Sequence, residues 1–453
     1  MHGSLASPLT QTAHSGFGWL AIVRIGLVQA SIGALVMLAT TVLNRVMVVE
    51  LELLAAIPAG LVAWHYAVQL GRPLWGHASD KGNNRTRWII GGVAMLASGS
   101  LLATQATVLM ASSYVPGFAL AVLAYTLIGV GVGAGGTSAL ALLASGVAPE
   151  RRAAAAAVTW IMMVAGIVGS AFAVSPLIEP FSFERLRLVA GGLALIMVTL
   201  TVIATFRLER QAGHFGNAAK SDGVPDFRAA ISEIWHEPAA RRFTVFIFVS
   251  MIAFSMQDLI LEPFAGLIFG MTPGQSTQLG GQHQAGILLG MIVTGIGGSA
   301  FSGKRPDGLR IWVVCGCLLS AAGLGALALA AVAGPGWLLG ANVFVLGLGN
   351  GVFAVAAIGA MMGLAGAGAK TREGVRMGVW GASQAIAFGL GGLTGAVGVD
   401  LARRSLASDG AAFQLVFMIE AAAFVLAAIL AVKATGGAAL RAGIARQERE
   451  ILV

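Results

Sequence analysis

The ionisable residues that could take part in proton transfer or ligand binding lie in or beside long apolar runs. Asp258 and Glu262 are four residues apart, which places them on one face of a regular helix. Two such carboxylates repel each other unless they share a proton or face a cation such as Arg45. Two interpretations stay open: a proton relay or ligand-orienting site, and an arginine–carboxylate lock between the two halves of the chain at one membrane surface. Together with Arg24 and Glu50, these residues form the predicted charge network inside the apolar region.

His65 lies in the segment WHYAVQ, in the middle of an apolar run. A neutral imidazole is a good axial ligand for a metal centre such as the magnesium of a pigment. The alternative is a histidine that only forms a hydrogen bond to a neighbouring helix. No spacing of His, Cys, Asp or Glu indicates a metal site, and no Ser–His–Asp or comparable set is present. We therefore predict no catalytic residues and no site for a metal ion bound by the protein alone.

The composition indicates a protein that crosses a membrane many times. Hydrophobic residues make up 57% of the 453 residues and charged residues 11%, with a mean hydropathy of +0.84. A soluble domain carries roughly 25% charged residues. The 63 glycines agree, because small residues let membrane helices approach each other closely. For the same reason, GVGVGAGG at 129–136 predicts helix packing and not a phosphate-binding loop.

Twelve apolar runs are long enough to span the hydrocarbon layer as helices. We therefore predict an all-α membrane protein with twelve transmembrane helices. The predicted spans are 20–43, 53–75, 88–110, 118–145, 153–175, 187–206, 243–265, 284–302, 310–332, 336–364, 375–399 and 412–433.

The positions of the basic residues predict the orientation. Most of the 28 Lys and Arg residues lie in the loops and termini on one side of these spans. Cytoplasmic loops are enriched in Lys and Arg, so both termini are predicted to be cytoplasmic. The basic residues lie in short loops and not in a continuous patch, so no nucleic-acid partner is predicted. The other side carries only Arg45, Arg185, Arg187, Arg403 and Arg404.

Repeated residues predict that the chain consists of two similar halves. Gly347 follows Gly129 at nearly the same offset along the chain as Trp380 follows Trp160. Such a repeat favours a duplicated six-helix unit. The predicted parts are a cytoplasmic tail at 1–19, a first six-helix half at 20–206, a cytoplasmic linker at 207–242, a second six-helix half at 243–433 and a cytoplasmic tail at 434–453.

The loop GRPLWGHASDKGNNRTR, residues 71–87, joins the second and third spans. Its order of glycine, aspartate and basic residues resembles the signature loop of the major facilitator superfamily. The alternative is an ordinary short basic loop. The repeat favours the superfamily, whose fold consists of two six-helix pseudo-repeats. The residues that match the signature are Gly76, Asp80, Lys81, Gly82, Arg85 and Arg87.

Four further segments resemble the PucC/LhaA family of photosynthetic bacteria, in its bacteriochlorophyll-synthase-linked branch. They are LNRVMVVEL (43–51), LVAWHYAVQLGRPLWGHASD (61–80), MQDLILEPFAGLIFGMTPGQST (256–277) and VWGASQAIAFGLGG (379–392). The resemblance covers residues 18–435.

The resemblance implies a non-enzymatic factor for bacteriochlorophyll delivery and light-harvesting complex assembly. It implies a multi-pass protein of the bacterial inner, intracytoplasmic photosynthetic membrane, with bacteriochlorophyll a as the bound or carried pigment. The implied partners are membrane lipids, bacteriochlorophyll synthase, the light-harvesting antenna polypeptides and the reaction centre. Candidate pigment or ligand contacts are His65, Tyr66, Gln69, Trp160, Trp380 and Gln384.

Two other functions stay open at this point. One is a secondary transporter of a small solute, coupled to protons through Asp258 or Glu262. The other is an accessory subunit of bacteriochlorophyll synthase.

Overall fold

A computed structural model describes residues 17–71, 75, 84–148, 151–211, 238–302, 308–366 and 373–434. A backbone in lipid must satisfy its hydrogen bonds within each segment, and these residues are accordingly helical. The main helices are α1 (Trp19–Glu50), α2 (Ala56–Gln69), α3 (Arg85–Met110), α4 (Tyr114–Gly146), α5 (Arg152–Leu177), α6 (Phe183–Thr205), α7 (Pro238–Met256), α8 (Pro273–Ser302), α9 (Gly308–Ala333), α10 (Leu339–Gly366), α11 (Glu373–Ser405) and α12 (Asp409–Ala434).

Ten helices in the described ranges are long and apolar enough to cross a membrane, which makes the chain a multi-pass membrane protein. The predicted spans 53–75 and 284–302 are not among these ten. They correspond to α2, which is described over 14 residues, and to α8, whose first half carries several Gln residues and His283. The count of twelve spans and the cytoplasmic location of both termini therefore stay predictions.

The helices pack as two equivalent sets of six. In the first set α1 contacts α5 and α6, α3 contacts α4 and α6, and α2 contacts α4. In the second set α7 contacts α11 and α12, α9 contacts α10 and α12, and α8 contacts α10. Each pair has its counterpart six helices later, as a duplicated unit requires.

Glycines allow the closest of these contacts. A Cβ atom at Gly129 of α4 would lie 2.7 Å from the carbonyl oxygen of His65 in α2. At Gly347 of α10 it would lie under 3.0 Å from the carbonyl oxygen of His283 in α8. The two histidines are separated by the same distance along the chain as the two glycines. The glycine-rich segment thus packs helices, as its apolar context predicts.

The two halves meet along a surface that we call the seam. It consists of the contacts of α2 with α11, of α5 with α8, and of α1 with a short helix that extends α7, Leu261–Phe269. We call the end of the bundle at which α2 and α8 begin the outer face. The distribution of basic residues predicts that this face is the non-cytoplasmic one.

The linker is described only at its two ends. Leu208–Gln211 is a short helix whose Glu209 accepts hydrogen bonds from the backbone N–H groups of Arg85 and Thr86 at the start of α3. Helix α7 begins at Pro238, ahead of the predicted end of the linker at residue 242. The predicted tails fall largely outside the described residues, as do residues 212–237 of the linker.

Candidate functional site

Helices α1 and α7 both lose regular α-helical geometry at the seam. Helix α1 contains two π-helical turns, Leu38–Val42 and Val46–Glu50, and α7 leads into a 3-10 turn, Gln257–Leu259. The first π-helical turn and the 3-10 turn hold equivalent places in the two halves, because Gln257 follows Ala39 at the same offset along the chain as Gly347 follows Gly129. Single π-helical turns frequently occur at functional sites. These two equivalent irregular segments therefore mark the seam as a candidate functional site.

Arg45 is buried in the seam and has partners in both halves. Its Nη1 atom donates to Oε1 of Glu50 at 2.6 Å, and its Nη2 atom donates to the carbonyl oxygen of Met271 at 2.6 Å. The ion pair therefore lies within α1, and the bond that crosses the seam goes to a backbone oxygen. A lock between the halves thus exists at Arg45, but its partner across the seam is neither Asp258 nor Glu262.

Glu262 lies in the helix that extends α7, and only 3% of its surface is exposed. Neither of its carboxylate oxygens has a hydrogen-bond partner among the described residues. Its Oε1 atom points at Gly280 of α8, where a Cβ atom would lie only 2.5 Å away. An unpaired buried carboxylate is costly, and such residues inside membranes usually have a function.

Asp258 and Glu262 lie in different local structures. Asp258 stands half-buried in the 3-10 turn, and Glu420 of α12 has no exposed surface. Glu262 lies in the following short helix, one turn before Gly266, where a Cβ atom would lie 3.1 Å from Nη2 of Arg45. The 3-10 turn interrupts the regular helix on which the predicted shared face depends. Glu420 was not predicted as a site residue, although a single acidic residue in the apolar run FQLVFMIEAAAFVLAA was a usable signal.

Arg24 lies away from the other members of the predicted charge network. Its side chain donates to the carbonyl oxygen of Ala204 at 2.9 Å and to that of Phe206. These are free carbonyl groups at the carboxyl end of α6, where a cation is favourable. Arg24 therefore ties α1 to α6 within the first half, and it is not part of the seam.

His65, Tyr66 and Gln69 lie together on α2. His65 is buried, and its Nδ1 atom lies 2.6 Å from the carbonyl oxygen of Val62. Because a carbonyl only accepts, this contact assigns the proton to Nδ1 and the lone pair to Nε2. The Tyr66 ring stacks on Phe388 of α11 at 6.2 Å, so this part of α2 belongs to the seam.

His283 belongs to a buried polar group that the sequence did not predict. Its Nε2 atom lies 3.3 Å from Nδ2 of Asn350, and Oδ1 of Asn350 accepts a hydrogen bond from Ser320 at 2.7 Å. This group ties α8, α9 and α10 together inside the second half. His65 and His283 are therefore equivalent in position along the internal repeat.

An apolar groove of about 500 Å³ opens between α2 and α4, and the sequence did not predict it. Trp64 contributes its ring to this groove, and its Nε1 atom donates to Thr126 of α4 at 2.9 Å. A second groove, of about 400 Å³, occupies the equivalent place between α8 and α10. The first groove is lined by Ala56, Ile57, Gly60, Leu61, Trp64, Tyr114, Phe118 and Val122.

No described contact places the three remaining pigment candidates, Trp160, Trp380 and Gln384, next to His65. Trp160 lies on α5, which packs mainly against α1 and α8, and 41% of its surface is exposed. Trp380 and Gln384 lie on α11, but their side chains are outside the described residues.

Part of the predicted signature loop is described. Gly76, Asp80, Lys81 and Gly82 lie outside the described residues. Arg85 begins α3 and donates to the carbonyl oxygen of Ala141 and to the hydroxyl of Ser145, both in α4. Arg87 is exposed near the start of α3, where the side chain of Asn84 caps the helix by accepting from the Arg87 N–H group. Within the described ranges, no group of three or more His, Cys, Asp or Glu side chains could hold a metal ion.

Comparison with solved structures shows the fold. The structure is similar to a peptide transporter of the POT family bound to alafosfalin, with a TM-score of 0.64, 13% identity, and coverage of 92% of this chain and 96% of that one. It is also similar to the nucleoside transporter NupG, with a TM-score of 0.63, 14% identity, and coverage of 92% and 99%. The predicted major facilitator superfamily-like fold is confirmed.

Comparison with curated proteins shows the family. A chain named bacteriochlorophyll synthase 44.5 kDa chain, from Rhodobacter capsulatus, is 50% identical over 428 residues, which cover 93% of this chain and 97% of the relative. Protein PucC of Rhodobacter capsulatus is 30% identical over 392 residues, which cover 82% and 81%. The model of the PUCC protein family matches residues 42–438. The chain is therefore a member of the PUCC protein family, as its sequence segments predicted.

Proposed function

We propose that this protein is a non-enzymatic factor that holds bacteriochlorophyll in the photosynthetic membrane and delivers it for light-harvesting complex assembly. The observation that carries the proposal is the 50% identity, over nearly the full length, to a chain named as part of bacteriochlorophyll synthase. Its partners would be the synthase, which supplies the pigment, and the antenna polypeptides and reaction centre, which receive it. The family resemblance to proteins named PucC supports the assembly role.

The groove between α2 and α4 has a lining suited to a flat, apolar pigment such as bacteriochlorophyll. Its lining is almost entirely apolar, with Trp64, Tyr114 and Phe118 as aromatic contacts. Ligand sites for flat apolar molecules have this character, with a few polar groups that fix orientation. The groove would hold the edge of the pigment ring or part of its isoprenoid tail, and His65 on the same helix would be the nearest imidazole.

The function is tested by gentle purification from a photosynthetic host. The protein should show an absorption band of bound bacteriochlorophyll, and the synthase or antenna polypeptides should co-purify with it. An unrelated transporter with the same tag, taken from the same membranes, measures the pigment that adheres non-specifically. A colourless preparation without these partners would contradict the proposal.

A second prediction concerns His65. We expect His65→Leu to reduce the bound pigment at unchanged protein level, because leucine keeps the volume but removes the Nε2 lone pair. The matched control is His283→Gln, which keeps a polar partner for Asn350 and should leave the pigment content unchanged. Equal pigment-to-protein ratios in His65→Leu and the parent protein would remove His65 from the proposed site.

One observation favours a different function, a proton-coupled transporter of a small solute. Glu262 and Glu420 are buried carboxylates whose oxygens have no hydrogen-bond partner among the described residues. Carboxylates of this kind line proton pathways in pumps and transporters. Accumulation of a solute by colourless protein in proteoliposomes, driven by a proton gradient, would support this alternative.

A further inference from the structure

Two carboxylates at the outer face reach across the seam, one from each half. Asp400 of α11 accepts hydrogen bonds from the N–H groups of Ala55 and Ala56 at 3.1 and 2.8 Å, at the start of α2. Glu179, which follows α5, accepts from the N–H group of Gly274 at 2.8 Å, in the first turn of α8. The first N–H groups of a helix have no partner within it and carry a partial positive charge. Each carboxylate thus caps the second helix of the opposite half.

The two caps are equivalent under the internal repeat. Asp400 follows Glu179 at nearly the same offset as Gly274 follows Ala56, and this is the offset that also relates the repeated glycines. The exchange is reciprocal: the first half caps the second, and the second caps the first. One such contact could be incidental to the end of a helix, but two related by the repeat are a property of the fold.

The backbone at Gly274 packs closely against Glu179 and Ser175 of the first half. The Gly274 carbonyl oxygen accepts a hydrogen bond from Ser175 of α5 at 2.8 Å, so both backbone groups of this residue bond to the opposite half. A Cβ atom at this position would lie 2.5 Å from Oε1 of Glu179 and 2.6 Å from the Ser175 carbonyl oxygen. Only glycine allows this approach. Asp400 is also enclosed, with 6% of its surface exposed.

Two further bonds cross the seam near these caps. Arg45 donates to the carbonyl oxygen of Met271, and Asn44 donates to that of Leu259 at 2.8 Å. Both donors lie on α1, whereas the two caps lie where α2 meets α11 and where α5 meets α8. The halves cannot separate at the outer face without breaking both caps.

We propose that Asp400 and Glu179 form a two-point latch that holds the outer face closed. Opening this face breaks three charge-assisted hydrogen bonds and lets water hydrate both carboxylates and both helix starts. The latch therefore sets the equilibrium between closed and open forms without contributing to the packing of either half. Removing it should favour the open form while each six-helix half keeps its contacts.

The latch is tested by thiol labelling of purified protein in detergent. Ala171 of α5 is buried, and a Cβ atom at Gly281 of α8 would lie 3.1 Å from the Cβ atom of Ala171 across the seam, so Ala171→Cys is a reporter of opening. Cys315→Ser and Cys317→Ser remove the native thiols. In this background, Asp400→Ala/Glu179→Ala should increase the rate of labelling by a hydrophilic maleimide by about tenfold or more, because each lost cap shifts the equilibrium severalfold.

Three comparisons make the result decisive. Each single variant should label at an intermediate rate. Glu184→Ala, which removes an exposed carboxylate at the start of α6, should leave the rate unchanged. If the alanine double variant is not monodisperse, Asp400→Asn/Glu179→Gln keeps the shape and an acceptor oxygen, and it should give a smaller increase. A monodisperse variant of either kind that labels at the parent rate would overturn the latch.

Discussion

Gly347→Ala should destabilise the protein far more than Gly325→Ala, although both glycines lie in helices of the second half. At Gly347 the added Cβ atom would lie under 3.0 Å from the backbone carbonyl of His283, which can move only if α8 and α10 separate. Overpacking of this kind costs about 1–3 kcal/mol and occasionally more. At Gly325 the added Cβ atom would have no neighbour within 4 Å. Alanine stabilises a helix by up to about 1 kcal/mol relative to glycine, so this substitution should not destabilise the protein.

The measurement is thermal unfolding in detergent. Cys317 is buried, so a thiol-reactive dye reports unfolding of α9 in a Cys315→Ser background. Gly129→Ala in the first half should behave like Gly347→Ala, because its Cβ atom would lie 2.7 Å from the carbonyl oxygen of His65. If Gly347→Ala and Gly325→Ala unfold at the same temperature, close backbone approach at α8 and α10 is not what stabilises the repeat.

The glycine contacts show which parts of the fold were predictable. A transmembrane helix is evident locally, from about 20 apolar residues, and a small residue repeated within it indicates a packing face. The nearly equal offsets that relate Gly129 to Gly347 and Trp160 to Trp380 were therefore the basis for predicting two similar halves. The structure adds that each glycine lies on the carbonyl group of an equivalent histidine.

The partners of the charged residues were not predictable in the same way. Arg24 and Arg45 both lie in the first helix, and the sequence placed both in one network. Arg24 instead bonds to the carboxyl end of α6, and Arg45 pairs with Glu50 further along α1. That pairing depends on the π-helical turn Val46–Glu50, which alters the spacing of side chains around the helix. No pattern of residue types signals such a turn.

The groove between α2 and α4 was not predicted for another reason. Its lining comes from two helices that are not consecutive in the chain, and its concave shape arises where these packed helices diverge. A sequence shows that Trp64 and Phe118 are apolar, but every residue of a membrane helix has some apolar neighbour. Only the relative positions of the helices distinguish a groove from a packed interface.

Glu50→Gln should be strongly destabilising, because it leaves the Arg45 guanidinium without its carboxylate partner. The Arg45 side chain is 3% exposed and that of Glu50 is 33% exposed, so the arginine cannot exchange its partner for water without local opening. Removing one member of a buried ion pair costs about 3–5 kcal/mol, and the partial exposure of Glu50 places this change at about 3 kcal/mol. Thermal unfolding with the Cys317 reporter measures the change.

The chain offers a matched control in Arg403 and Asp409, which form an ion pair at 2.7 Å with side-chain exposures of 31% and 40%. Asp409→Asn should cost no more than about 1 kcal/mol, since exposed ion pairs contribute little. Glu262→Gln is informative as well, because Glu262 lies one turn before Gly266, against which Arg45 packs, but accepts no hydrogen bond from the described residues. If Arg45 can turn to Glu262 when Glu50 is neutralised, Glu50→Gln alone will be mild and the double variant Glu50→Gln/Glu262→Gln severe. A mild double variant would mean that burial of Arg45 does not require a carboxylate, and that the Met271 carbonyl bond across the seam is sufficient.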